Sequence, residues 1–208
     1  MYFSEPKANL LKSFYDDPSK GIYIRELERS SGMSYERVHH YLKELESDGV
    51  LVASNRGKIK EYKINHSHSL AEKAFSMIEL MRRREFFDKN KGFEADIQNL
   101  KDKLVDSIGD PIKSILLNPM FSGKKIKEIE LLLITHSIDT LFYNRVAAIC
   151  KQCGTDSIVF VVYIDPVSDF RNKFLSDAEY KQKWKKSIVL FGEESYWGDM
   201  LRKKLYML

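Results

Sequence analysis

Gly32 constrains this chain more than any other residue. It stands between two short stretches with helical spacing, Ile24-Arg25-Glu26-Leu27-Glu28-Arg29-Ser30-Ser31 and Tyr35 to Ser47. A residue that accepts a left-handed backbone is what closes one helix and turns the chain straight into the next. Ile24 and Leu27 share a face of the first stretch, and Ser34 is placed to cap the second through its hydroxyl. At 100° per residue, Val38, Tyr41, Leu42 and Leu45 fall on one stripe of that second helix. Glu36, His39, His40 and Lys43 point away from the stripe, with Arg37 on its flank. Gly49 ends the helix, Val50-Leu51-Val52 has strand composition, and Asn55-Arg56-Gly57-Lys58 is a turn signal before a second strand, Ile59 to Ile64. Ile22-Tyr23 is expected to pair with that hairpin as a short strand.

Two helices at a glycine corner followed by a basic hairpin make a winged helix-turn-helix, and the pattern points to double-stranded DNA. A helix fits the major groove, where side chains of its N-terminal half reach base edges, while a hairpin lies along phosphates. The residues expected at such an interface are Ser34, Tyr35, Glu36, Arg37, His39, His40 and Lys43 on the helix, with Arg56, Lys58 and Lys60 on the hairpin. The competing reading is a protein–protein module, since Glu36 would repel phosphate. The basic hairpin tip weighs against it.

The runs Tyr23-Ile24-Arg25-Glu26-Leu27, Gly32-Met33-Ser34 and His40-Tyr41-Leu42-Lys43-Glu44-Leu45-Glu46-Ser47-Asp48-Gly49-Val50-Leu51 resemble the ArsR/MarR-like winged-helix transcriptional regulators, especially archaeal ones. The resemblance covers about the first third of the chain. It implies transcription regulation by a homodimer that reads two half-sites.

The 208 residues allow two small domains, and 43% hydrophobic content with 12% aromatic supports a core in each. A net charge of +4 is too mild for a globally basic surface, so any nucleic-acid site must be a local patch. No apolar run has membrane-spanning length and the N-terminus lacks the order of a signal peptide, so a cytoplasmic protein without membrane association is expected. Ser4-Glu5-Pro6 opens a first helix with Leu10, Leu11 and Phe14 on its apolar face, and Asp16 to Gly21 is a turn cluster.

Leu70 to Asn90 has helical periodicity through Leu70, Ala74, Phe75, Ile78 and Met81, a stripe that suits either core or a dimer seam. Arg82-Arg83-Arg84 within it reads as a solvated face. A second helix spans Phe93 to Ile108. Beyond it, β-rich runs at Ile115 to Leu117, Ile129 to Ile134, Ile158 to Ile164 and Ile188 to Phe191 alternate with helical stretches such as Thr140 to Cys153, and Glu193 to Leu208 is again helical. That alternation argues an α/β domain. The expected fold class is therefore an α+β winged helix-turn-helix over residues 1–66, a connecting helix over 67–91 and an α/β domain over 92–208.

Glu128-Ile129-Glu130-Leu131-Leu132-Leu133-Ile134, followed near the end by Ile188-Val189-Leu190-Phe191-Gly192-Glu193-Glu194-Ser195-Tyr196-Trp197, resembles a minimal nucleotidyltransferase domain. The resemblance implies a Gly-Ser phosphate-holding turn and two carboxylates one residue apart on a strand, which share magnesium because alternate strand residues face the same way. Glu128 and Glu130 stand at the carboxylate positions, and Asp156 is a possible third. The turn departs from the pattern, because Asn118 to Lys125 offers Ser122-Gly123 in place of Gly-Ser. A non-catalytic relative used for dimerisation or sensing is the expectation, with no cofactor or metal and a small molecule or nucleotide as possible effector. A magnesium-dependent nucleotidyltransferase and an antitoxin-like partner-binding protein are the alternatives. Cys150 and Cys153 end a helix, where the dipole disfavours thiolate, and read as free thiols. Two thiols make only half of a zinc site, which would have to recruit His136 or a second chain, and His66 and His68 read as solvated.

Overall fold

The computed structural model describes residues 4–57, 59–119, 127–156 and 158–202, with Arg56 and Lys127 described by their backbone alone. No helix among these residues is long and apolar enough to cross a membrane. The chain is mixed α and β, and it divides into two compact units, Met1–Ile78 with Trp197–Leu208, and Glu79–Tyr196.

In the first unit, α1 (Glu5–Leu11) carries Pro6 in its first turn, where the missing amide is no loss, and runs into a single 3-10 turn ending at Phe14. Strand β1 (Ile22–Tyr23) leads into α2 (Ile24–Ser31), closed by Gly32 at φ 68°, a left-handed angle that only glycine adopts freely. Helix α3 (Tyr35–Ser47) then buries Val38, Leu42 and Leu45, so the stripe predicted from periodicity is the one that packs inward. Strands β2 (Leu51–Arg56) and β3 (Ile59–Ile64) form an antiparallel hairpin, and β1 pairs with β3 on its other side. The turn is tighter than the sequence suggested. Asn55 and Arg56 pair with Lys60 and Ile59 as strand residues, and Gly57 follows at φ 65°. Glycine takes that left-handed angle without strain, which lets pairing continue up to it.

Helix α4 (Ser69–Lys89) begins in this unit, where Phe75 and Ile78 are fully buried within the single chain. Its stripe is therefore core and is not free to act as a dimer seam. Helix α9 (Glu193–Arg202) ends in the same unit, and Trp197 packs on Phe75 at 4.8 Å and Tyr15 at 4.9 Å between ring centroids.

The second unit contains α5 (Lys91–Ile108), β4 (Ile112–Leu117), β5 (Lys127–Thr135), α6 (Thr140–Cys153), β6 (Ile158–Pro166), α7 (Val167–Ser176), α8 (Ala178–Lys185) and β7 (Ile188–Phe191). The strands lie in the order β6-β5-β4-β7, with β5 and β6 parallel and the other pairs antiparallel. Ile129, Leu131 and Leu133 of β5 share a core with Ile97, Leu100 and Leu104 of α5 and Val146 of α6. The intervening Glu130, Leu132 and Ile134 point to the opposite face, as strand alternation requires. Helices α7 and α8 were not anticipated. Each is short, and α8 buries Trp184 alone, so neither repeats an apolar spacing long enough to register in the sequence. Residues 203–208 of the predicted last helix lie outside the described residues.

Because Phe75 is 0% exposed and holds Trp197, Phe75→Ala should destabilise the first unit by about 3–5 kcal/mol. Urea unfolding followed by tryptophan fluorescence checks this, and a loss below about 1 kcal/mol would contradict the packing role.

Candidate functional site

The inward packing of Val38, Leu42 and Leu45 leaves the opposite side of α3 to solvent: Glu36, Arg37, His40 and Lys43 are exposed. Tyr35 is also exposed and stacks on the half-buried His39, ring centroids 6.0 Å apart. Arg25 of α2 lies over the Tyr35 ring at 4.9 Å and pairs with Glu28 at 2.9 Å, adding a cation to the N-terminal end of α3 that sequence spacing did not identify. Ser34 occupies the N-cap with extended backbone angles, but its hydroxyl makes no capping bond. The expected side-chain cap is thus corrected to a backbone cap.

Of the hairpin residues, Lys60 does not project freely. Its ammonium donates to Glu46 Oε2 of α3 at 2.8 Å and sits 5.2 Å from the Tyr62 ring centroid, and the bond to Glu46 holds its pKa above the usual lysine value. It therefore braces the hairpin against α3. Arg56 has its backbone in β2, while its side chain and Lys58 lie outside the described residues. His40 reaches Glu44 at 3.5 Å, a pairing that carries charge only when the imidazole is protonated.

Two other expectations require correction. His68 is half-buried, not solvated: its Nδ1 accepts from the Leu70 amide at 3.3 Å. Its ring occupies the space a Cβ on Gly49 would enter, 2.9 Å from that position. The arginine run is not a solvated face either. Arg82 pairs with Glu79 at 3.0 Å and donates to the Ser187 carbonyl at 3.3 Å. Arg83 donates to the Leu190 carbonyl at 2.7 Å and to Glu193 at 2.5 Å, and Arg84 alone of the three is exposed.

In the second unit, Glu128 is exposed and Glu130 is bound into a network. Glu130 accepts from Asn118 Nδ2 at 2.6 Å, Tyr163 Oη at 3.0 Å and Lys183 Nζ at 2.7 Å, and the Lys183 ammonium also lies 4.2 Å from the Tyr163 ring centroid. Burial raises the Glu130 carboxyl, but the bonds from Lys183, Asn118 and Tyr163 together outweigh it and hold the pKa below the usual value. Asn118, Tyr163 and Lys183 come from the end of β4, from β6 and from α8, so no local signal links them to Glu130. Among the described residues no group of three or more His, Cys, Asp or Glu side chains is arranged to hold a metal ion. The Ser122-Gly123-Lys124-Lys125 run lies outside the described residues. Cys150 and Cys153 are free, and burial, with the neighbouring Cys153, pushes the Cys150 thiol up to about 11, which makes it a poor nucleophile at neutral pH.

No family model matches the chain, and no curated protein matches it. A solved structure of TrmBL2, described as an archaeal chromatin protein with a novel mode of DNA binding, aligns over 86% of this chain and 78% of its own, at 13% identity and a TM-score of 0.23.

The depressed Glu130 carboxyl sets a pH dependence. A carboxylate whose pKa is lower folded than unfolded adds stability above the unfolded value, and that contribution disappears as pH falls through the folded value. Glu130→Gln should therefore cost roughly 1 kcal/mol at pH 7 and progressively less below the normal carboxylate range. Parallel urea titrations of the two proteins test this, and an equal cost at both pH values would contradict the ionic role.

Proposed function

We propose that this chain is a sequence-specific DNA-binding transcriptional regulator acting as a homodimer. In this reading residues 1–66 are a winged helix-turn-helix, 67–91 a connecting helix and 92–208 a non-catalytic, nucleotidyltransferase-like domain used for dimerisation or sensing. The observation that carries it is the division of α3 into a fully buried apolar stripe and an exposed polar face bearing Arg37, His40 and Lys43. A helix held this way presents one row of hydrogen-bonding side chains to a groove, with its register set by packing on the opposite side. Arg56 and Lys58 of the hairpin supply phosphate contacts, which contribute affinity without sequence information. The Lys60–Glu46 bridge at 2.8 Å supports this division of labour, because it ties the hairpin to the helix that reads bases.

For the second unit, the Glu130–Lys183 pair supports the non-catalytic reading. A carboxylate that binds magnesium needs its oxygens available, and here Glu130 Oε1 accepts from both Lys183 and Tyr163 while Asn118 occupies Oε2. The Lys183 ammonium neutralises the carboxylate that a magnesium ion would need as a ligand. A small molecule or nucleotide remains the class of effector that such a domain would sense. Effector and DNA would then change one another's affinity by the same factor.

The first expected outcome concerns salt. Arg56→Ala should weaken binding to all duplexes alike and reduce the slope of log affinity against log salt by about one unit, whereas Arg37→Ala should cost on the order of 1–3 kcal/mol at particular base pairs. Fluorescence anisotropy on operator-selected and random duplexes separates the two. Equal loss on both duplexes for Arg37→Ala would contradict base readout. The second concerns chemistry: calorimetry with Mg-ATP should show no saturable heat that depends on Glu128 and Glu130, and labelled nucleotide should reach no acceptor. Glutamate-dependent heat together with transfer would replace the non-catalytic reading with an enzymatic one.

A further inference from the structure

The two edges of the second unit's sheet are finished differently. An edge strand presents unpaired amides and carbonyls that template further pairing, and proteins usually blunt it with charge or cover. At β7 this has been done by α4. Glu79 Oε1 accepts the Val189 amide at 2.9 Å, Arg82 donates to the Ser187 carbonyl at 3.3 Å and Arg83 to the Leu190 carbonyl at 2.7 Å, so charged side chains stand where a further strand would bond. Nothing comparable guards β6 among the described residues. It is nine residues long, pairs with β5 on one side, and carries no charged side chain from Ile158 to Ile164.

The flanks of β6 are largely apolar as well. An open cleft of about 660 Å³ runs between it and α6, its wall apolar through Tyr143, Ala147, Phe160, Val162 and Ile164, with Lys151 and Asp156 also lining it. Tyr143 is 49% exposed on the helix side, and Val159 and Tyr163 are 43% and 40% exposed on the other face of the strand. A long edge strand with no charge of its own is a surface that native sequences avoid unless it is covered.

We propose that β6 is the seam at which two copies of this chain pair, strand against antiparallel strand about a two-fold axis, so that one sheet runs through both. This rests on the homodimer named above and assigns its interface. Antiparallel self-pairing suits the residues. With Val161 on the axis, Ile158 faces Ile164, Phe160 faces Val162 and Val159 faces Tyr163, so apolar side chains meet on both faces and no like charges oppose. The axis perpendicular to the sheet also brings α6 beside its counterpart, covering Tyr143 and the cleft. The seven paired residues at about 3.3 Å span about 23 Å, and two layers about 10 Å deep give roughly 460 Å² per copy, so contact of α6 with its counterpart has to supply the rest of the roughly 600 Å² per copy that stable interfaces bury. The strand itself offers a charged peptide no charge from Ile158 to Ile164, whereas a second copy finds its own apolar pattern.

The test uses the full chain in analytical ultracentrifugation at tens of micromolar. Val159→Lys and Tyr143→Glu alter side chains already exposed in the single chain, so each variant should fold normally by circular dichroism and raise the dimer dissociation constant about tenfold or more. Leu80→Lys, on an exposed position of α4, should leave dimerisation unchanged. In the unmutated protein, amides of Ile158 to Ile164 should gain hydrogen-exchange protection as concentration rises. A dimer indifferent to both β6-flanking substitutions, with no concentration-dependent protection there, would overturn the seam while leaving the homodimer standing. A dimer dissociated by Leu80→Lys alone would move the seam to α4. A monomeric unmutated protein would remove the homodimer itself, and the salt dependence of DNA binding would still test the regulator reading separately.

Discussion

Glu79 is the residue on which the second unit's architecture depends. Its side chain is 0% exposed, and a carboxylate without water must be met by donors or it becomes a large liability. Arg82 supplies the opposite charge and the Val189 amide a hydrogen bond, so one buried group fixes both the position of a helical turn and the end of a sheet. Arg83 extends the same stitching to Leu190 and to Glu193 at the start of α9. With β7 closed in this way, the sheet can grow only from β6. The asymmetry between the edges follows from which strand receives the charged face of α4.

The first unit is organised by apolar packing instead of buried charge. Leu27, Val38, Leu42 and Leu45 are fully buried, and that burial, more than any capping bond, orients α3. The corner at Gly32 sets where α3 begins, the hairpin is braced on it through Lys60 and Glu46, and the exposed face is what remains after the stripe is satisfied. The absence of a hydroxyl cap from Ser34 fits this ranking, since a cap contributes about 1 kcal/mol and four buried aliphatic side chains contribute several times more.

The polar network around Glu130 shows how a sheet face accommodates a carboxylate. Glu130 sits among Leu132 and Ile134 on the side of β5 away from the α5–α6 core, and it is held by three donors from separate elements. Lys183 adds a cation over the Tyr163 ring, which restricts that ring as well as the carboxylate. The resulting site is charge-balanced, and its physical behaviour is that of an ion pair with satisfied lone pairs.

Periodicity and turn residues by themselves determined the local elements: α3 spans Tyr35–Ser47, α6 spans Thr140–Cys153 and β7 spans Ile188–Phe191, because apolar spacing and glycine positions act over a few residues and are written in order along the chain. The inward stripe of α3, and therefore its outward face, was legible for the same reason. Only the tertiary structure decided what the long charged side chains do. Arg82 and Arg83 read as solvated, yet they reach carbonyls more than a hundred residues away, and Lys60 reads as a free cation, yet it is bound to Glu46. It also decided that Phe75 and Ile78 are core, that Glu130 is paired with Lys183, and which strand of the sheet is left at an unguarded edge. These outcomes depend on which elements come together, and the partners of a flexible charged side chain or of a strand edge are set by that juxtaposition, which no short stretch of sequence encodes.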